Sequence, residues 1–215
     1  MRKTKAEAAR TRQDLIDGAL RCFDSQGIAG TTLDDIARAA RVTKGALYWH
    51  FTGKAEILKA LRDAVSLPIF DRMDDTLLHE GCDDPLERIE GFLSALLRSM
   101  EKDRDVRTAL SVMHFKCEYA GELESQLEGA RNNMRRLVAG FARAYGEARR
   151  KKLLAAGLTP RAAAAETMMF MSGLLRLWLL DSTSKGIRRD ARSAIRAHVS
   201  SKRAAKGVRT AAAAA

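Results

Sequence analysis

The groups in this 215-residue chain that could do covalent, acid–base or metal chemistry are four histidines, three cysteines and 27 acidic residues. Their spacing supports none of it. His50, His79, His114 and His198 are scattered, and no nucleophile stands beside a base at workable spacing. Neither H-E-x-x-H nor G-x-x-x-x-G-K-[ST] occurs. Cys22, Cys82 and Cys117 are an odd set without metal-type spacing, which suits a reducing cytoplasm. We therefore expect no enzyme, no cofactor and no metal.

The chemistry that the sequence does offer is recognition. Thr31 to Leu58 reads TTLDDIARAARVTKGALYWHFTGKAEIL. Two short helical segments, N-capped by Thr32 and Thr43, are joined by a tight turn, the pattern of a helix-turn-helix. A helix that enters a DNA groove needs small or polar groups in its first turn, where base edges are met. Thr43, Lys44, Gly45 and Ala46 supply a hydroxyl, a cation and two residues of little bulk. Tyr48, Trp49, His50 and Lys54 stand on or just after the same helix, where donors grip phosphates. Thr32 offers a hydroxyl and amides to a phosphate, and Arg41 can reach one from the turn.

These residues need elements to hold them, and helical periodicity is the dominant signal. Leu15, Ile16, Ala19, Leu20 and Phe23 form the inner face of a first helix that stops at Gly27. A fourth helix starts near Gly53 with the stripe Ile57, Leu61, Val65, Ile69, Met73 and Leu77; Pro68 lies inside it and is expected to kink it. Asp84–Pro85 opens a fifth helix, and Asp105 a sixth. A seventh is expected from Gly121 to Leu154 with Met134 inward, an eighth from Thr159–Pro160 to Asp181, and a ninth over Arg188–Lys202. The expected fold is all-α with about nine helices. A three-helix DNA-binding domain over 1–53 precedes a helical ligand-binding and dimerisation domain over 54–203, and residues 204–215 have nothing to pack.

The helix-turn-helix stretch resembles the TetR family of bacterial transcription regulators. Thr32, Ile36, Ala37, Ala40, Val42, Thr43, Gly45, Leu47, Tyr48, His50, Phe51, Lys54 and Ile57 carry the likeness. One departure is Arg41, which stands where the family usually has glycine; a non-glycine left-handed residue costs about 1 kcal/mol. The N-terminal MRKTKAEAARTRQ, the tract GALYWHF and HFKCEYAGEL (His114–Leu123) resemble the branch of multidrug-efflux-pump repressors, the AcrR/TtgR type. That resemblance implies a cytoplasmic homodimer that binds a near-palindromic operator and is released by a lipophilic inducer.

Candidate walls of the inducer cavity are Leu61, Val65, Leu93, Leu96, Met113, Leu137, Phe141, Met168 and Met171, with His114 and Cys117 as polar or polarizable members. From Met168 to Leu180 the eighth helix is apolar almost all round and should be covered on every side. Met169, Phe170, Leu174, Leu177, Trp178 and Leu180 are the candidate dimer face, which two-fold symmetry makes self-complementary. The same 13-residue apolar run falls short of the roughly 20 needed to cross a bilayer, so no membrane association is expected.

The net charge of +11 is unevenly spread. Residues 1–62 carry 12 basic against 7 acidic groups, 63–148 carry 11 against 17, and 149–215 carry 15 against 3. The basic last third leaves an alternative of another class, a nonspecific polyanion binder driven by Lys185, Arg188, Arg189, Arg192, Arg196, Lys202, Arg203, Lys206 and Arg209. Within the regulator class, control of unrelated metabolic genes is the other option.

Overall fold

The computed structural model describes residues 4–77, 84–181 and 186–205. Among them are nine α-helices: α1 (Lys5–Gln26), α2 (Leu33–Ala39), α3 (Lys44–His50), α4 (Lys54–Arg72), α5 (Pro85–Lys102), α6 (Arg104–Phe115), α7 (Ser125–Arg150), α8 (Pro160–Leu180) and α9 (Ile187–Ser200). A π-helical turn, Met73–Leu77, follows α4, and a 3-10 turn, Gly121–Leu123, precedes α7. There is no strand among the described residues. The expectations for His79, Cys82, Lys185, Lys206, Arg209 and the tail beyond residue 205 lie outside them.

Helix ends follow local chemistry. Thr4, Thr32, Thr43 and Thr159 each accept a backbone N–H from the first turn, so four helices begin at a threonine cap. Asp103 caps α6 by accepting from the amides of Asp105 and Val106, so that helix begins at Arg104. The seventh helix is shorter than expected. Lys152 turns left-handed (φ 58°) and Leu153 N–H reaches back to the Ala148 carbonyl at 2.8 Å, closing α7 at Arg150. Leu154 instead forms an isolated antiparallel bridge with Arg203. Met134, expected inside, is 45% exposed.

The chain forms two compact units. The first combines the residues up to Arg72 with Ala95–Leu137, the second Met73–Ser94 with the residues from Val138 onward. In the first, α1 packs against α2, α3, α4 and α6, and α4 packs against α6 and the 3-10 turn. Leu15, Phe23, Ile36, Leu47, Phe51 and Ile57 are almost wholly buried there. Gly18 lets α1 approach α2 closely, since a Cβ would lie 3.0 Å from the Ala40 nitrogen. Arg62 is buried too, donating to the Gln126 carbonyl at 2.9 Å, and its guanidinium lies against Gly129 where any side chain would collide.

In the second unit Phe92 meets Phe141 edge-to-face at 5.7 Å, and Arg88 pairs with Glu147. A polar chain threads its core. The Tyr145 hydroxyl lies 2.8 Å from Thr167 Oγ1, which lies 2.9 Å from His198 Nε2, and the His198 ring stacks on Phe170. The segment after α9 is tied down: Ala204 N–H donates to the Leu153 carbonyl at 2.7 Å and Arg203 to Asp84 at 2.5 Å.

Within the single chain α8 is not covered all round: Met169, Leu177 and Leu180, on the expected dimer face, are 66%, 50% and 60% exposed. Its 21 residues are also long and apolar enough, by length and composition, to cross a membrane, which the 13-residue stretch Met168–Leu180 taken alone did not show. Against that reading stands its inner face, where Ala163, Thr167, Met171, Leu175 and Trp178 are buried and α9 packs alongside.

Candidate nucleic-acid interface

The helix-turn-helix is built from two seven-residue helices, each too short to hold itself together without packing. α2 contributes Ile36 and Ala37 to the interior and α3 contributes Leu47. Between them Arg41 takes the left-handed conformation, φ 57°. Val42 N–H bonds the Ala37 carbonyl and Arg41 N–H the Arg38 carbonyl, both at 3.0 Å, which is the hydrogen-bond pattern of a Schellman close. The turn therefore keeps the shape that glycine would favour, despite the side chain. Phe51 ends α3 in extended backbone, 1% exposed, with the Arg12 guanidinium 5.0 Å over its ring.

With only Leu47 buried, α3 turns most of its remaining surface outward. Thr43, Lys44, Gly45, Tyr48 and Trp49 are exposed, and Ala46 and His50 are half-buried. Trp49 is 73% exposed, unusual for so large an apolar side chain, with His50 edge-on to it at 4.5 Å. No Cβ at Gly45 would meet anything within 4 Å, so that face of α3 is open. The Thr43 hydroxyl accepts from Ala46 N–H at 3.2 Å and keeps its own proton to donate.

Three expected contacts are already engaged within the chain. Lys44 Nζ lies 2.9 Å from Asp34, which holds the ammonium above its usual pKa; both groups are exposed, so a base or phosphate must displace Asp34. Thr32 turns both donors to Asp35, the amide at 3.0 Å and the hydroxyl at 2.6 Å, and these bonds hold that carboxyl below its usual range. Its expected offer to a phosphate is therefore answered internally by the capping box. Lys54 departs furthest. Its ammonium donates to the Ile28 carbonyl at 3.2 Å and pairs with Glu122 at 2.9 Å, leaving the side chain only 16% exposed. Sequence reasoning missed Asp34 and Glu122, which lie 10 and 68 positions from the lysines they pair with and share no helical register with them. Arg41 remains exposed beside the turn.

Comparison with known proteins decides what this arrangement belongs to. Residues 15–61 match the family model for bacterial regulatory proteins of the tetR family, and residues 84–201 match that for the C-terminal region of MAATS-type transcriptional repressors. The HTH-type transcriptional regulator AcrR of Shigella flexneri is 32% identical over 192 residues, 89% of this chain and 88% of that protein. The chain belongs to the tetR family. It is a DNA-binding transcriptional regulator, with an N-terminal helix-turn-helix followed by a helical C-terminal region.

Solved structures agree with this tetR fold. NalD, the secondary repressor of the MexAB-OprM multidrug efflux pump in Pseudomonas aeruginosa, matches with a TM-score of 0.82 at 26% identity, covering 93% of this chain and 98% of that one. The complex of SmeT with triclosan matches with a TM-score of 0.80 at 26% identity, over 92% and 93% of the two chains. SmeT is the repressor of the Stenotrophomonas maltophilia SmeDEF multidrug efflux pump.

In this tetR regulator the expected cavity residues are distributed over both units. In the first, Leu61, Val65 and Leu96 are buried, while Met113, His114, Cys117 and Leu137 are half-buried. In the second, Leu93, Phe141 and Met171 are buried and Met168 is half-buried. Burial pushes the Cys117 thiol up, away from the reactive thiolate. On the expected dimer face Met169, Leu177 and Leu180 are exposed and Phe170 and Leu174 half-buried. Trp178 corrects the expectation. It is 2% exposed, turned into its own unit with the Arg188 guanidinium 4.2 Å over its ring. Many cations of the basic last third are likewise engaged: Arg189 with Asp190, Lys202 with Glu166 and Arg203 with Asp84.

Proposed function

We propose that this protein is the repressor of a multidrug efflux operon, held on a near-palindromic operator as a homodimer and released by a lipophilic inducer. The observation that carries it is the outward face of α3, where Thr43, Lys44 and Gly45 lead into exposed Tyr48 and Trp49 while Leu47 alone anchors the helix. Thr43 and Lys44 meet base edges; Tyr48, Trp49, His50 and Arg41 contact the backbone around them. A dimer sets two copies of α3 into successive major grooves, one helical turn apart. The exposed Met169, Leu177 and Leu180 on α8 are the apolar surface through which two copies meet.

The efflux assignment is supported by the names of the relatives, NalD and SmeT among them, and the inducer class by the triclosan bound to SmeT. For this chain we assign inducer contacts to the α4 and α6 faces carrying Leu61, Val65, Met113 and His114, which pack together in the first unit. Release follows from linkage. An inducer weakens DNA binding only by the factor its affinity differs between the DNA-competent state and another. α4 carries Leu61 and Val65 and begins four residues after α3 ends, so it is the element placed to transmit the difference. The protein is then cytoplasmic and non-enzymatic.

Footprinting of the purified protein on its own upstream DNA, with and without a panel of hydrophobic drugs, tests this reading. A protected near-palindrome that opens with drug is the expected result. Protection that is absent, or independent of sequence, refutes it.

A further inference from the structure

A cleft of about 430 Å³ opens in the first unit, between the end of α1, the start of α4 and the segment that follows α6. It shares no residue with the inducer cavity expected from the sequence. Its size falls within the usual range of small-molecule sites. Ile28, Phe115 and Leu123 give it an apolar lining, and two ammonium groups, Lys54 and Lys116, stand in its wall.

The depth of the charges sets the chemistry it selects. The Lys54 and Lys116 side chains are 16% and 31% exposed, whereas their carboxylate partners Glu122 and Asp24 are 55% and 48% exposed. Each ammonium is also held from behind by a backbone carbonyl, Lys54 by Ile28 and Lys116 by Asp24. The cations are thus partly desolvated, while the acids, with Glu118 also in the lining, are exposed groups at the rim. Charged groups interact more strongly where water is excluded, so the inner cations dominate what the cleft attracts.

We propose that this cleft is a second ligand site, selective for an amphipathic monoanion such as an aromatic carboxylate. The ring lies on Phe115 and Leu123, and the carboxylate takes the place of Glu122 on Lys54 and approaches Lys116. Binding therefore competes with the Lys54–Glu122 ion pair that fastens the 3-10 turn to the start of α4.

The test uses the full-length protein without DNA, so its outcome is independent of the operator reading. Calorimetric titration with 2-naphthoate is compared with 2-naphthamide, the neutral isostere. The naphthoate is expected to bind and the amide at least about tenfold more weakly, because the amide makes no charge-assisted bond. Lys54→Met and Lys116→Met each weaken naphthoate by about tenfold or more. Glu122→Gln, at an exposed position that leaves the fold intact, tightens it several-fold by removing the internal competitor. Equal binding of naphthoate and amide, no naphthoate binding at all, indifference to both lysine variants, or a Glu122→Gln protein that binds no more tightly would overturn the proposal.

Discussion

α3 and α8 both leave large side chains in solvent, yet they do so in opposite ways. α3 is seven residues long, buries one side chain and exposes a mixed surface of hydroxyl, cation, glycine and aromatic. α8 is three times as long, buries six residues and exposes methionine and leucines. A polar face without core function is what a charged, hydrated partner requires, whereas exposed leucines are stabilised only by apolar cover. The contrast is what the proposed roles require, DNA for one helix and a second copy of the chain for the other. Each helix also anchors its outward face differently: α3 by Leu47 and a strained turn, α8 by a full inner face of Ala163, Ala164, Thr167, Met171, Leu175 and Trp178.

Substitutions that separate the two faces sharpen this comparison. Leu177→Glu should leave the protomer folded within about 0.5 kcal/mol, because the site is half exposed. It should dissociate the dimer in analytical ultracentrifugation and weaken operator binding by about 100-fold or more, since two linked heads gain that much over one. An unchanged oligomeric state would remove α8 from the interface. Leu47→Ala acts on the other side, costing about 2–5 kcal/mol in chemical denaturation by opening a void under α3 while leaving the dimer intact.

Smaller effects distinguish contacts within α3 and its turn. Lys44→Ala should relax preference at one base pair by about 1–3 kcal/mol in competition against mismatched operators. Tyr48→Phe should lower affinity for matched and mismatched sites alike. Equal effects on discrimination from both would dissolve the division between base and phosphate contacts. Arg41→Gly should raise stability by up to about 1 kcal/mol by relieving the left-handed turn, and at the same time weaken DNA binding. Gain without loss would remove Arg41 from the interface.

The smallest effect belongs to α9. Burial, assisted by the Lys202 ammonium, pulls His198 below the ordinary imidazole pKa of about 6.5. The unfolded chain then binds the proton more readily than the folded one. His198 therefore contributes stability that is fully present above that ordinary value and is lost as pH falls through it to the folded pKa. Denaturation midpoints of the native protein should decline over that window, and the slope should shrink in His198→Gln.

The helices were legible because their boundaries are written in adjacent residues. Threonine caps at 32, 43 and 159, Gly27 after α1 and Asp84–Pro85 before α5 each act within one turn. The start of α3 was legible for the same reason, its cap and the small or polar residues of its first turn being consecutive. What escaped were pairings across distance. Nothing in the spacing of Lys54 and Glu122, or of Lys44 and Asp34, signals that they meet, so two lysines read as free DNA contacts prove to be engaged. Trp178 was misassigned because an apolar helix face does not announce which side meets its own α9. Lys152, a left-handed residue without glycine's signature, hid the end of α7.

Methylation interference on the operator tests the central claim most directly, because guanine N7 lies in the major groove that α3 is proposed to enter. Two clusters of interfering guanines, their centres one helical turn or a whole multiple of it apart, are expected, with Lys44→Ala losing sensitivity at one guanine in each. Interference spread evenly along the duplex, or binding indifferent to N7 methylation throughout, would contradict a regulator that reads DNA through α3.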